Sequence, residues 1–226
     1  MSAYDDLMDF QSETEALSQV AGRLGWDQET MMPKGAADQR AAEMAAMEGV
    51  LHARRIDPRV GDWLETAKPA DDVARAQLRH IRRSYERMMK IPARLAADLA
   101  RLTSKAHGIW AEARSDENVA AFLPTLKDVV ALKREEAAAL ADGGDLYDAL
   151  LDDYEPGATG ASLSAMFSAL RPGLVDLRAR VLGSDVRPEP LTGVFPAEAQ
   201  LVLAAKLAET FGYDICLAPK FWAISD

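Results

Sequence analysis

The sequence predicts an all-α protein, a multi-helix array of eight or nine helices. Apolar residues recur at spacings of three and four along almost every segment, the period of an amphipathic helix. No segment combines polar–apolar alternation with the β-branched or aromatic enrichment of a strand. Proline and glycine fall mostly between the periodic segments, where they act as breaks.

The first stripe is Leu7, Phe10, Thr14, Leu17, Ala21 and Leu24. It covers under three heptads, so it reads as a helix-packing face rather than a long coiled coil. Met44, Met47 and Leu51 resume the period after the Pro33-Lys34-Gly35 break. Val73, Gln77, His80/Ile81, Ser84 and Met88 mark a third, more polar stretch. Leu95, Leu99, Leu102, Ala106, Ile109 and Ala113 follow Pro92, which suits a first helical turn. Val119, Phe122, Leu126, Val129, Lys133, Ala137 and Leu140 end at Gly143-Gly144, an expected C-terminal cap. Pro124 inside this pattern implies either a start near residue 121 or a kink. A short helix over Leu146, Tyr147, Leu150, Leu151 and Tyr154 stops at Pro156-Gly157. A longer one carries Leu163, Phe167, Leu170, Leu174, Leu177 and Val181, with Pro172 as an expected kink. Gly183 to Pro196 contains three prolines and reads as a linker, and Leu201, Ala204, Ala208 and Phe211 form a last helix closed by Gly212.

The 226 residues, 49% hydrophobic and 27% charged, make one large domain or two small ones. Cys216 stands alone, which excludes an intramolecular disulfide and any zinc site with two cysteine ligands. The net charge of −10 describes a self-repelling surface and speaks against nucleic acid as a main partner. The start, Met1-Ser2-Ala3-Tyr4-Asp5-Asp6, has neither the basic nor the apolar region of a signal peptide. The longest stretch without a charged residue, Pro156 to Leu170, is too short and polar to span a bilayer. A cytoplasmic protein with no membrane contact is the expectation.

Chemical signatures are sparse. There is no phosphate-binding glycine loop, and Gly160-Ala161-Ser162-Leu163-Ser164 lacks the second glycine of a nucleophile elbow. His52, His80 and His107 are preceded three residues earlier by Gly49, Gln77 and Ser104, so none has Glu-x-x-His spacing, and none belongs to H-E-x-x-H. His52 and His80 read as solvated positions beside arginines, and His107, near Trp110, as a packed, hydrogen-bonded side chain. From Arg75 to Lys105 nine basic residues face only Glu86 and Asp98. Such a face either binds phosphates or a substrate carboxylate, or pairs with acidic helices elsewhere in the chain; sparse aromatics favour the pairing. Asp152, Asp153 and Glu155 gather near a helix C-terminus, against the helix dipole. That conflict points to a specific task, either capping a neighbouring helix or pairing with the basic stretch.

Two segments are more distinctive than their chemistry: Leu24-Gly25-Trp26-Asp27-Gln28-Glu29-Thr30-Met31-Met32-Pro33-Lys34-Gly35-Ala36-Ala37-Asp38-Gln39-Arg40-Ala41, and Leu146-Tyr147-Asp148-Ala149-Leu150-Leu151-Asp152-Asp153-Tyr154-Glu155-Pro156-Gly157. Both resemble the N-terminal half of the carboxypeptidase Taq family of zinc metallocarboxypeptidases. Trp110-Ala111-Glu112-Ala113-Arg114 and Phe122-Leu123-Pro124-Thr125-Leu126 are similar to the same family in the same order. The resemblance runs from about residue 4 to Asp214, giving an expected helical region over residues 1–214 and a divergent tail over 215–226.

The resemblance implies a helical peptidase fold around a deep substrate channel, commonly homodimeric. It also implies release of C-terminal amino acids from peptides, with zinc or cobalt. Family chemistry uses H-E-x-x-H, a downstream glutamate, H-P-F and D-x-R-x-T, and this sequence contains none of them. Hence no catalytic, metal or cofactor residue is carried over. The expectation is a truncated, catalytically incomplete member, left by a frameshift, a natural truncation or a gene rearrangement, with peptide substrate engaged only alongside the missing half. The alternative is a non-catalytic helical interaction or dimerisation module, and a third reading is a phosphate or nucleic-acid binder using Arg75–Lys105. Among the motif residues, Trp26 reads as a packing anchor. Asp27 and Gln28 sit at the turn before Pro33 and either hydrogen-bond that turn or line the channel. Tyr147, Asp148, Tyr154, Glu155, Pro156 and Gly157 read as structural, with Tyr154 and Glu155 fixing the corner.

Overall fold

The computed structural model describes residues 2–214, and among them it contains nine α-helices and no strand. These are α1 (Ala3–Thr30), α2 (Ala37–Arg55), α3 (Pro58–Thr66), α4 (Asp72–Lys90), α5 (Ala93–Ser115), α6 (Val119–Ala141), α7 (Leu146–Leu151), α8 (Gly160–Gly183) and α9 (Ala197–Thr210). A single 3-10 turn, Lys34–Ala36, joins α1 to α2. The chain divides into two units, residues 1–162 and 163–226. The tail 215–226, with Cys216, lies outside the described residues.

The first unit has two cores. Leu7 and Phe10 of α1 meet Val60 and Leu64 of α3, with Leu78, Ile81 and Tyr85 of α4 against them. Gly61 lets this layer close: a Cβ there would stand 2.9 Å from the Tyr85 hydroxyl. Ile91, Leu95 and Ala96 form the second core with Leu140 of α6, flanked by Leu99, Leu132 and Leu150. Between them α2 packs along α5. Both helices bury alanines, Ala41 and Ala45 on α2 and Ala96, Ala106 and Ala113 on α5, so the α2–α5 pair is built on small residues.

Four helices differ from the sequence reading. Helix α3 has no long periodic stripe and escapes it, yet Asp57 accepts from the Arg59 N–H and Pro58 opens the first turn, a local start signal. Helix α1 runs through Asp27 and Gln28 to Thr30, because Pro33 disfavours helical backbone only at its immediate predecessor. Helix α6 begins at Val119, capped by the Asn118 side chain, and carries Pro124 inside it. Its C-terminal cap is Asp142 in the left-handed region rather than either glycine. Helix α7 ends at Leu151 instead of reaching Tyr154.

In the second unit, α8 remains helical through Pro172, and Ser184–Pro196 carries no helix or strand before α9. No residue of α8 or α9 is buried. Among the described residues, no helix is long and apolar enough to cross a membrane.

Leu95 is wholly buried, whereas Val73 is 67% exposed. Leu95→Ala is expected to cost about 2–5 kcal/mol through lost contacts and a cavity. Val73→Ala is expected to stay within about 0.5 kcal/mol. Urea unfolding followed by circular dichroism checks both.

Candidate functional site

The first distinctive segment builds a three-helix joint. Pro33 ends α1's approach and starts the 3-10 turn, whose Ala36 N–H returns to the Pro33 carbonyl at 2.9 Å. Helix α2 then runs back along α1, which brings Arg40 against the last turns of α1. Arg40 is buried; it pairs with Asp27, donates to the Leu24 carbonyl, and reaches Glu43 at 3.0 Å. The hydrogen bond that Arg40 donates to the Asp27 carboxylate is the main reason the guanidinium holds its proton more tightly than usual. Gln28 makes a two-way contact with α5. Its amide donates to the Ser104 carbonyl at 2.9 Å, and the Ser104 hydroxyl donates to its amide oxygen at 2.7 Å.

Asp27 and Gln28 are therefore helical residues committed to neighbouring helices, not turn residues. Trp26, expected as a packing anchor, is half-buried in the last turns of α1. The residues that anchor this joint by polar contacts are Arg40 and Ser104. Arg40 stands inside the distinctive segment itself, 13 positions from Asp27.

A cleft of about 1000 Å³ opens beside the joint, between the end of α1, the 3-10 turn, the start of α2 and the second half of α5. Glu29 faces His107 Nε2 at 3.1 Å, and Lys105 faces Asp38 at 2.9 Å. The His107 ring lies 5.7 Å from that of Trp110, which is 45% exposed. His107 is thus partnered but only half-buried. This lining can hold a polar chain by hydrogen bonds and stack an apolar group on Trp110. The Ser104 hydroxyl at its edge is already spent on Gln28.

The second segment makes a corner. Arg83 and Arg87 of α4 donate to the Asp152 and Ala149 carbonyls at the end of α7. These groups would otherwise be orphaned at a helix C-terminus. The same arginines pair with the carboxylates of Asp152 and Asp153, which resolves the conflict with the helix dipole. Asp152 also accepts the Gly157 N–H at 2.9 Å, and Gly157 sits at φ +83, a left-handed position that suits glycine. Asp148 accepts the Gly160 N–H at 2.7 Å and so caps α8. Thr159 and Ser162 add a reciprocal cap there. The corner is held by Asp148 and Asp152. Tyr154, Glu155 and Pro156 are exposed, as is Tyr147, and Tyr154 and Glu155 make no side-chain hydrogen bond among the described residues.

Seven of the nine cations between Arg75 and Lys105 form ion pairs, all but Arg79 and Arg101 among the described residues. Their charge is turned inward on the chain's own carboxylates.

The histidines stand apart from one another in role. His52 is 2% exposed, and its Nε2 lies 2.7 Å from the Ile91 carbonyl, the C-terminal cap of α4. A carbonyl only accepts, so this nitrogen donates. The solvated position expected for His52 is thus wrong. Ala41, Ala45 and His52 follow one another at intervals of four and seven residues, a spacing that marks the buried side of α2. His80 is exposed. Among the described residues no three His, Cys, Asp or Glu side chains converge to hold a metal ion.

Arg40→Ala removes three partners at once and is expected to lower stability by about 1–3 kcal/mol; chemical denaturation measures it. Asp152 is held below the ordinary carboxylate value, first by the Gly157 N–H and then by Arg83 and Arg87, against the opposing pull of burial. A lowered value means stability that is complete above about pH 4 and is lost as pH falls through the folded-state value. The stability gap between the native chain and Asp152→Asn is therefore expected to be full near pH 6 and to shrink below pH 4, as thermal melts across that range would show.

Comparison with known proteins places these joints in a family. The family model for carboxypeptidase Taq (M32) metallopeptidase matches residues 6–218. Thermostable carboxypeptidase 1 of Thermus thermophilus is 42% identical over 95% of this chain and 45% of its own length. The structure of Trypanosoma cruzi metallocarboxypeptidase 1 is 31% identical, with a TM-score of 0.69, over 94% of this chain and 44% of that one. The BsuCP crystal structure, at 23% identity, shares the fold with a TM-score of 0.84 over the same shares of the two chains. The chain spans about half the length of the relatives it matches. With a match running through nearly every described helix, the chain belongs to the carboxypeptidase Taq (M32) metallopeptidase family.

Proposed function

We propose that this chain supplies the N-terminal helical part of a metallocarboxypeptidase and does not carry the catalytic centre by itself. The observation that carries the reading is the 42% identity across 95% of the chain against 45% of the relative. The sequence contains no H-E-x-x-H, the arrangement that puts two imidazoles and a general base on one helix face. The polar residues of its two most distinctive segments support the same division of labour. Asp27, Gln28, Arg40, Asp148 and Asp152 are engaged with neighbouring helices and turns.

In this reading the cleft beside Trp110 and the Glu29–His107 pair is a wall of the peptide channel. It positions substrate, while the metal chemistry resides in the portion that relatives carry beyond the matched region.

The purified chain, incubated with excess zinc or cobalt and a peptide substrate, is expected to release no C-terminal amino acid above a metal-only blank. Metal-dependent release at stoichiometric zinc loading would overturn the proposal.

A further inference from the structure

Among the described residues, the second unit presents a helix whose apolar side chains are exposed. Helix α8 has four charged residues, Arg171, Asp176, Arg178 and Arg180, in 24 positions. Phe167, Leu170, Leu174, Leu177 and Val181 recur at spacings of three and four, and each is 50% exposed or more. That spacing is one stripe down a helix about 36 Å long. A stripe of this length and polarity normally belongs to a protein interior or an interface. Around Phe167, Leu170 and Leu174 the surface is already concave, with a hollow of about 300 Å³.

The size of what would cover it is given by the relatives. The match covers 45% of the Thermus thermophilus chain and 44% of the structural neighbours, so more than half of their length lies outside the part aligned with this chain. We propose that the Phe167–Val181 stripe of α8 is the docking surface for the C-terminal portion of a carboxypeptidase Taq-family chain, and that this portion docks there even when supplied as a separate polypeptide. The proposal rests on the reading of this chain as an N-terminal part. Its partner is defined by chemistry: an apolar, helix-sized groove, with acidic positions where it meets Arg171 and Arg178. A second copy of this chain is the competing occupant.

The test mixes the full chain with a polypeptide comprising the part of Thermus thermophilus thermostable carboxypeptidase 1 that follows the matched region. Size-exclusion chromatography with light scattering reads the product, and titration calorimetry reads the affinity. The expected result is a one-to-one complex, weakened at least tenfold by the double variant Leu170→Glu/Leu174→Glu and unchanged by Val73→Glu on the first unit. Both α8 leucines are exposed, so the double variant should keep the helical circular dichroism of the native chain. If it does not, Leu177→Gln provides the same comparison with a milder change. Absence of a complex overturns the proposal. So does equal binding by the α8 variants, or a homodimer that excludes the added polypeptide. Metal-dependent peptidase activity of the chain alone would sink the proposed function while leaving the docking result to stand or fall on the binding data.

Discussion

Short helices that end inside a protein leave backbone carbonyls with no partner, and the first unit depends on how those carbonyls are satisfied. At the ends of α3, α4 and α7 a cationic or imidazole side chain from a neighbouring helix does it. His52 of α2 reaches Ile91 at the end of α4, and Arg82 of α4 reaches Leu64 at the end of α3 at 2.7 Å. Arg83 and Arg87 of α4 reach Asp152 and Ala149 at the end of α7. Each contact closes a polar group that would be costly to bury alone and lies on the favourable side of the helix dipole. Each also ties two different helices, so the caps double as the joints of the array.

Arg54 extends the same device to the flank of a helix. Its guanidinium lies 4.0 Å from the centre of the Phe10 ring, donates to Thr14 at 2.9 Å and to the Phe10 carbonyl at 3.0 Å, and so pins α2 to α1 over the first core. The carboxylates follow from the cations. Once Arg83 and Arg87 occupy the end of α7, Asp152 and Asp153 are paired there rather than repelled. The basic stretch and the acidic cluster, which look like separate surface features along the chain, are two sides of one joint.

Periodicity made most of the fold legible, because long helices bury long stripes: Leu7 and Phe10, Leu95, Ala137 and Leu140 all lie on the faces their spacing marks. It missed α3, whose nine residues bury only Val60 and Leu64. The pairing of Asp152 and Asp153 with the basic stretch was readable from the conflict between three acids and a helix C-terminus. Arg40 and Ser104 were not, because a guanidinium and a hydroxyl on helix faces look like solvated residues until a second helix is brought beside them. The last turns of α1 are also held by polar contacts at Asp27 and Gln28. The cleft beside Trp110 is a property of α1, the 3-10 turn, α2 and α5 together and has no sequence period at all.

The two units differ in what completes them. Residues 1–162 contain both buried core clusters and all the carbonyl-capping joints, whereas α8 and α9 bury nothing of their own. The central claim is that the capped helix array of residues 1–162 is a self-sufficient unit, whereas the apolar stripe of α8 is exposed among the described residues. Hydrogen exchange resolved along the sequence tests it most directly, since protection follows the free energy of local opening. The account predicts slow exchange through the middle of α2, α4 and α5 and markedly faster exchange throughout Leu163–Gly183. Protection of α8 equal to that of α5 in the isolated monomeric chain would contradict it.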